Sequence, residues 1–182
     1  MTAGPRDAGG PGTDAAVAGW ATALGLPGLF DVHVHFMPPS IMARVWQHFD
    51  AAGPLIGRPW PITYRGTDDE RLARLRAMGV RHFSALPYAH KPGVAPFMNG
   101  WAADLAAANP DVLRSATMYP EPGAGAYVAG LLGDGVEIVK VHVQVGSFDP
   151  RPLVAAAVGL DQVGAVLAGR RPDGAGPGPK VH

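Results

Sequence analysis

The sequence predicts an α/β protein built from about four parallel βα units. Two observations carry that expectation. Short stretches with strand-like alternation are separated by stretches with helical spacing, in the order β-α-α-β-α-β-α-β, and no two strands adjoin through a hairpin. In addition, two of the strands place polar, chemistry-bearing residues on one side and mostly apolar residues on the other. That division suits strands with one face under helices and one face lining an interior. Four units are half of an eight-unit barrel, and a doubly wound sheet shares the pattern.

Composition sets the bounds. The chain has 182 residues, of which 47% are apolar and 16% charged. That is enough to bury a core, and too little charge for wholesale disorder. Fifteen basic and fifteen acidic residues cancel. No basic excess exists to attract nucleic acid or anionic lipid, so neither is expected as a partner. No apolar run approaches the ~18–20 residues of a membrane span. The chain has no cysteine, which excludes disulfides, thiolate metal sites and a cysteine nucleophile. Gly and Pro together are 44 residues, nearly a quarter of the chain, against a usual ~12%.

That surplus sits at the ends. Residues 1–27 are expected to be a leader, disordered over MTAGPRDAGGPGT and carrying a short helix from Asp14 to about Leu24, ended by Gly25 and Pro27. The leader lacks the apolar core of a secretion signal, so a cytoplasmic location is expected. Residues 28–150 hold the alternating pattern. LFDVHVHF (29–36) reads as the first strand, and a helix from Pro38 to Ala52 follows, with the prolines at its start. GPLIGRPWPITYRG is expected to be a loop. TDDERLARLRAMG (67–79) reads as a helix with Thr67 as N-cap, Glu70 at the capping-box position and Gly79 as the stop. VRHFSALPY (80–88) is the second strand. Residues 94–108 form a helix with Phe97, Met98, Trp101 and Leu105 as its core stripe, stopped before Pro110. DVLRSATMYP (111–120), AGAYVAGLLGDG (124–135) and VEIVKVHVQVG (136–146) complete a strand, a helix and a fourth strand.

The strongest chemical signal is Asp31-Val-His33-Val-His35. Side chains alternate along a strand, so Asp31, His33 and His35 share one face. Two imidazoles at a strand's C-terminal end can converge on one cation, and neutral nitrogen suits zinc or a similar divalent ion. His33 and His35 are therefore the candidate metal ligands; two half-buried histidines with other partners are the competing reading. The fourth strand repeats the logic, with Lys140, His142 and Gln144 on one face and valines on the other. Lys140 and His142 are the candidate catalytic pair, against a snorkelling lysine and a satisfied core histidine. Loops after strands supply candidate substrate contacts in Tyr88 and His90 and in Tyr119 with Glu121, and Gln144 on the polar face of the fourth strand is a further one. Arg65 has the fork to clamp a carboxylate, or a plain surface role. His48 and His82 read as structural. No phosphate-binding glycine loop and no G-x-S-x-G nucleophile elbow occurs.

GLFDVHVHFMPP, ALPYAHKPG, YPEPG and VEIVKVHVQVGSFDP together resemble the amidohydrolase-related metal-dependent hydrolases, nearest to the aminocarboxymuconate-semialdehyde decarboxylase-like group. The resemblance covers about 28–150. It implies a partial (β/α)8 TIM barrel, a divalent metal, usually zinc, held by His33 and His35, and a small carboxylated substrate. The implied reaction is C–N or C–O hydrolysis or non-oxidative decarboxylation. The family's further ligands and its catalytic histidine come from later strands, for which this chain has no counterpart. The last 32 residues, 151–182, are 21 Gly, Ala, Pro or Val, with one helix conceivable over 152–169. They read as an irregular tail outside the family pattern, as a coding frame lost near codon 150, or a natural truncation, would leave. The chain alone is then expected to bind metal weakly and to have little activity. An open half-barrel also exposes sheet edges that invite pairing with a second copy. A non-catalytic half-barrel assembly or binding module is thus the competing class, followed by a doubly wound small-molecule binder.

Overall fold

The computed structural model describes residues 9–59 and 61–149. The expected helix over 152–169, the irregular tail from 151 and the first eight residues of the leader lie outside them.

The described chain is α/β with parallel strands. Helix α1 (Asp14–Ala23) precedes strand β1 (Leu29–Asp31), and α2 (Pro39–Ala51), α3 (Gly53–Ile56) and α4 (Asp68–Ala77) lead to β2 (Val80–Ser84). Helix α5 (Ala95–Ala108) leads to β3 (Val112–Leu113) and β4 (Ser115–Thr117); α6 (Ala124–Gly133), β5 (Ile138–Lys140) and α7 (Val143–Gly146) follow. β1 pairs with β2 and β2 with β3 in one sheet, and β4 pairs with β5 in another, every pair parallel. The spatial order is therefore the chain order. Among the described residues the sheets do not close into a barrel.

Local chemistry explains most boundaries. The hydroxyl of Thr67 accepts from the Glu70 N–H while the Glu70 carboxylate accepts from the Thr67 N–H at 2.8 Å, a complete capping box. Gly79 ends α4 in the left-handed region at φ 79°, and a Cβ there would lie 3.3 Å from Cα of Ala18. Gly79 thus serves both the helix stop and the close approach of α1. Pro38 and Pro39 start α2. At α1 the cap is Thr13 without a side-chain bond, and Asp14 lies in the first turn instead of capping.

The strands are much shorter than their alternation implies. The first ends at Asp31 because the Asp31 carboxylate turns back to accept from the His33 N–H at 3.0 Å. The fourth ends at Lys140, since α7 begins three residues later. Lys140, His142 and Gln144 therefore do not share a strand face, and Gln144 lies exposed on α7. The third strand is split at Arg114, whose carbonyl accepts from both Glu137 and Ile138 N–H. Its first half pairs with β2 and its second half with β5. The expected loop after α2 also contains α3.

Beyond the ladders, hydroxyls hold adjacent strands together. Ser84 Oγ accepts from Val34 N–H, Ser115 Oγ from Ala85 N–H and Thr117 Oγ1 from Ala89 N–H, and Thr117 Oγ1 donates to Lys140 O at 2.8 Å. All three hydroxyl residues are buried. Asn99 of α5 completes this layer. Its Oδ1 accepts from Thr117 N–H at 2.7 Å, and its Nδ2 donates to Thr117 O at 2.8 Å and to Tyr127 Oη at 2.7 Å.

One core cluster joins Phe36, Leu72, Leu75, Val80, Phe83, Ala85 and Val112; a second joins Met37, Met42 and Met98. Met98, Trp101 and Leu105 of the expected stripe pack inward, but Phe97 is 61% exposed. The side of the first strand expected to lie under helices is partly bare. Phe30 on β1, an edge strand among the described residues, is 66% exposed, and Val32 just beyond it is 60% exposed.

Candidate functional site

The C-terminal ends of the first, second and fourth strands bring together His33, His35, Tyr88 and His142, with Lys140 beside them. The ring centroids of His33 and His35 are 5.1 Å apart, those of His35 and Tyr88 5.6 Å, and those of Tyr88 and His142 5.0 Å, all edge-to-face. The Lys140 charge acts on both His35 and His142.

His35 is held at two points. Its Nδ1 lies 2.9 Å from Leu86 O, and its carbonyl accepts from Nη2 of Arg71. A carbonyl only accepts, so Nδ1 carries the proton and the Nε2 lone pair is free. Ligating histidines are oriented in this way, with the second nitrogen donating to a backbone carbonyl. Burial, above all, pushes the His35 pKa down, and the charges of His33, Lys140 and His142 act in the same direction. The imidazole is thus kept neutral.

His142 has the opposite tautomer. As N-cap of α7, its Nδ1 accepts from the Val145 N–H at 3.3 Å. A backbone N–H only donates, so Nδ1 carries the lone pair and Nε2 carries the proton. Burial and the Lys140 charge lower its pKa. Burial raises that of Tyr88, which keeps the phenol protonated.

The fit to a divalent ion is partial. His33 and His35 are adjacent, and His35 presents a free, oriented lone pair. His142 does not extend the pair, because its available nitrogen bears a proton. Among the described residues no group of three or more His, Asp or Glu is placed to hold a metal. Catalytic zinc usually has three protein ligands.

The other candidates lie apart. Arg65 is engaged by Asp50 in a two-point ion pair near the Trp46 ring, so its fork is already filled within the chain. Tyr119 donates its hydroxyl to Gly146 O at 3.2 Å and packs on Phe148, which holds α7. The Glu121 carboxylate accepts from the Gly93 N–H and ties two loops together. His90 and Gln144 are exposed. His82 packs on Phe30 and His48 on Phe49.

Arg71 was not among the candidates read from the sequence. It reaches from α4 to the His35 carbonyl, lies 4.3 Å over the Phe36 ring and pairs with Asp68 at 3.7 Å. Its local signal is slight: an arginine directly before the buried Leu72, on a helix whose other arginines face water. A cavity of about 530 Å³ lies at the opposite end of the strands, bordered by Arg76, Arg81, His82 and Asp111. Arg76 and Asp111 are paired with each other there, and none of the histidine cluster lines it.

No family model, curated protein or solved structure matches the chain. No helix among the described residues is long and apolar enough to cross a membrane.

Proposed function

We propose that the histidine cluster is the first half of a metal-dependent hydrolase or decarboxylase site of the amidohydrolase-related kind, on a partial (β/α)8 barrel of about four units. The observation that carries this reading is the Nδ1–Leu86 bond of His35, which frees and orients Nε2 beside His33 at the C-terminal strand ends. The chain-order arrangement of parallel strands supports a barrel arc over a doubly wound sheet, which reverses its strand order at a switch point. His33 and His35 would hold a divalent ion, zinc or a similar one. Such an ion supplies a bound water of lowered pKa and polarises a carbonyl or carboxylate of a small substrate. Two ligands make that hold weak, so little turnover is expected from this chain alone. The test is zinc titration by calorimetry, with metal analysis of the dialysed protein. Wild type binds weakly and below one equivalent, and His33→Ala and His35→Ala each abolish it. Zinc uptake indifferent to both changes overturns the reading.

Exposed Phe30 and Val32 beside β1, an edge strand among the described residues, favour a second reading, a half-barrel that assembles with another copy of itself. Light scattering coupled to size exclusion decides it. A dimer that Phe30→Ser dissociates supports assembly, and a monomer at all concentrations removes it.

A further inference from the structure

We propose that the two end strands of the chain are complementary, and that β1 of one copy pairs in parallel with β5 of a second copy, Asp31 facing Lys140. The inference rests on the assembly reading and on the barrel-arc order of the strands, and gives that assembly a partner strand, a register and a symmetry.

Three observations lead to it. The first is topology. The stretch 112–117 has β2 on one side and β5 on the other, so β1 and β5 are the end strands among the described residues. Every pair is parallel and in chain order. A second copy that continues the arc past β5 therefore presents its own β1, running the same way. A two-fold axis makes this junction twice, uses both end strands of both copies and closes the assembly as a dimer. The second observation is the match of the edges. β1 is Leu29-Phe30-Asp31 and β5 is Ile138-Val139-Lys140, three residues each. Aligned end to end, they give two apolar pairs followed by an acid opposite a base. Opposite charges across a strand pair stabilise it, and like charges oppose it. Antiparallel pairing of β1 with a second β1 sets Asp31 against Leu29 and has no such match. Within one copy neither charge has an ion-pair partner among the described residues, where the ion pairs belong to Arg65, Arg71, Arg74 and Arg76. Asp31 spends one oxygen, Oδ1, on the His33 N–H. The third observation is apolar surface at both ends of the arc: Phe30 and Val32 beside β1, and Val143 and Val145 just past β5, are exposed. Each His33–His35 pair then borders a junction between copies.

The test uses the full chain, which has no cysteine of its own. A chain with Phe30→Cys and a chain with Val139→Cys are co-expressed and then oxidised. A disulfide joining the two lies between copies by construction. It needs Cα atoms about 4.4–6.8 Å apart, which a ladder pair in register meets. The expected result is a mixed 30–139 disulfide that exceeds either like-with-like disulfide, in a particle of dimer mass by light scattering. Leu29→Cys paired with Val139→Cys, one residue out of register, cross-links much less. Asp31→Lys sets lysine opposite Lys140 at both junctions and raises the dimer Kd about tenfold, and adding Lys140→Asp restores it. A dimer joined chiefly through position 30 on both chains overturns the edge pairing and leaves assembly standing. So does a dimer in which no second chain reaches position 139, as when residues 151–182 cover β5. A charge swap no tighter than Asp31→Lys alone refutes the Asp31–Lys140 contact. A monomer at all concentrations removes the proposal together with the assembly reading.

Discussion

Replacing Asn99 with leucine tests how the sheet is joined to its helices. The side chain is 7% exposed and its three hydrogen bonds all stay inside the protein. Leucine has the same branching but bulkier ends, so no cavity forms and slight overpacking adds ~1 kcal/mol to the loss. What changes is Thr117, a residue with 0% exposure, whose N–H and C=O both lose their partner. Each buried orphan costs ~1–3 kcal/mol, giving ~2–6 for the pair. Burying leucine in place of an amide returns ~1.5–3 kcal/mol of transfer free energy. A net loss of ~2–3 kcal/mol is expected, or a fall in Tm of ~4–12 °C for a domain of this size. Thermal melts followed by circular dichroism measure it, and urea titration with an unchanged m-value confirms that only stability moved. Tyr127→Phe is the control. It removes one bond to a half-buried hydroxyl and orphans no backbone group, so its cost stays within ~1 kcal/mol. If Asn99→Leu melts within 1 °C of wild type, the amide is not what satisfies Thr117 and the reasoning is wrong.

Other outcomes follow from the same structure. Arg71→Met keeps an apolar stem over Phe36 but frees the His35 carbonyl; zinc affinity falls along with stability, read by calorimetry and melting, whereas Arg74→Met, on the exposed side of α4, moves neither. Thr67→Ala removes the capping box and costs ~1 kcal/mol in urea titration. The pairing with Arg76 holds the Asp111 carboxyl below the usual carboxylate range. A depressed acid stabilises the fold above its unfolded pKa of ~3.9, and that stability is lost as pH falls through the folded value. Asp111→Asn therefore lowers stability at pH 7 by ~1 kcal/mol or less, since Arg76 is largely exposed, and flattens the acid limb below ~pH 4. An acid limb unchanged by the substitution contradicts that assignment.

Where the controlling interaction is local, the sequence is readable. Thr67 and Glu70 are three residues apart, and their capping box forms as expected. The helices around it, 39–51, 68–77 and 95–108, fall close to their expected bounds for the same reason. The strands mislead because alternation speaks of faces and not of ladder length. Asp31 ends its strand through its own side chain, and His142 begins a helix through its own ring. Both residues looked like members of a lined strand face. His33, His35, Tyr88, Lys140 and His142 still converge, because they follow the C-terminal ends of parallel strands wherever those strands stop. Arg71, Asn99, Ser115 and Thr117 escaped notice for a different reason. Their partners lie 18 to 36 residues away, and no local pattern distinguishes a buried polar residue with a distant partner from one in water. Phe97 has helical spacing for the core, yet no element among the described residues covers it.

The hydroxyls of Ser84, Ser115 and Thr117 hold four backbone groups that an unbroken ladder would have paired. A backbone ladder permits one spacing between chains, about 4.8 Å. A side chain interposed between them permits others, according to its reach and rotamer. Ser84, Ser115 and Thr117 therefore tie in the chain just past the paired portions, Val34, Ala85 and Ala89 among it, and leave its spacing to the reach of three small side chains.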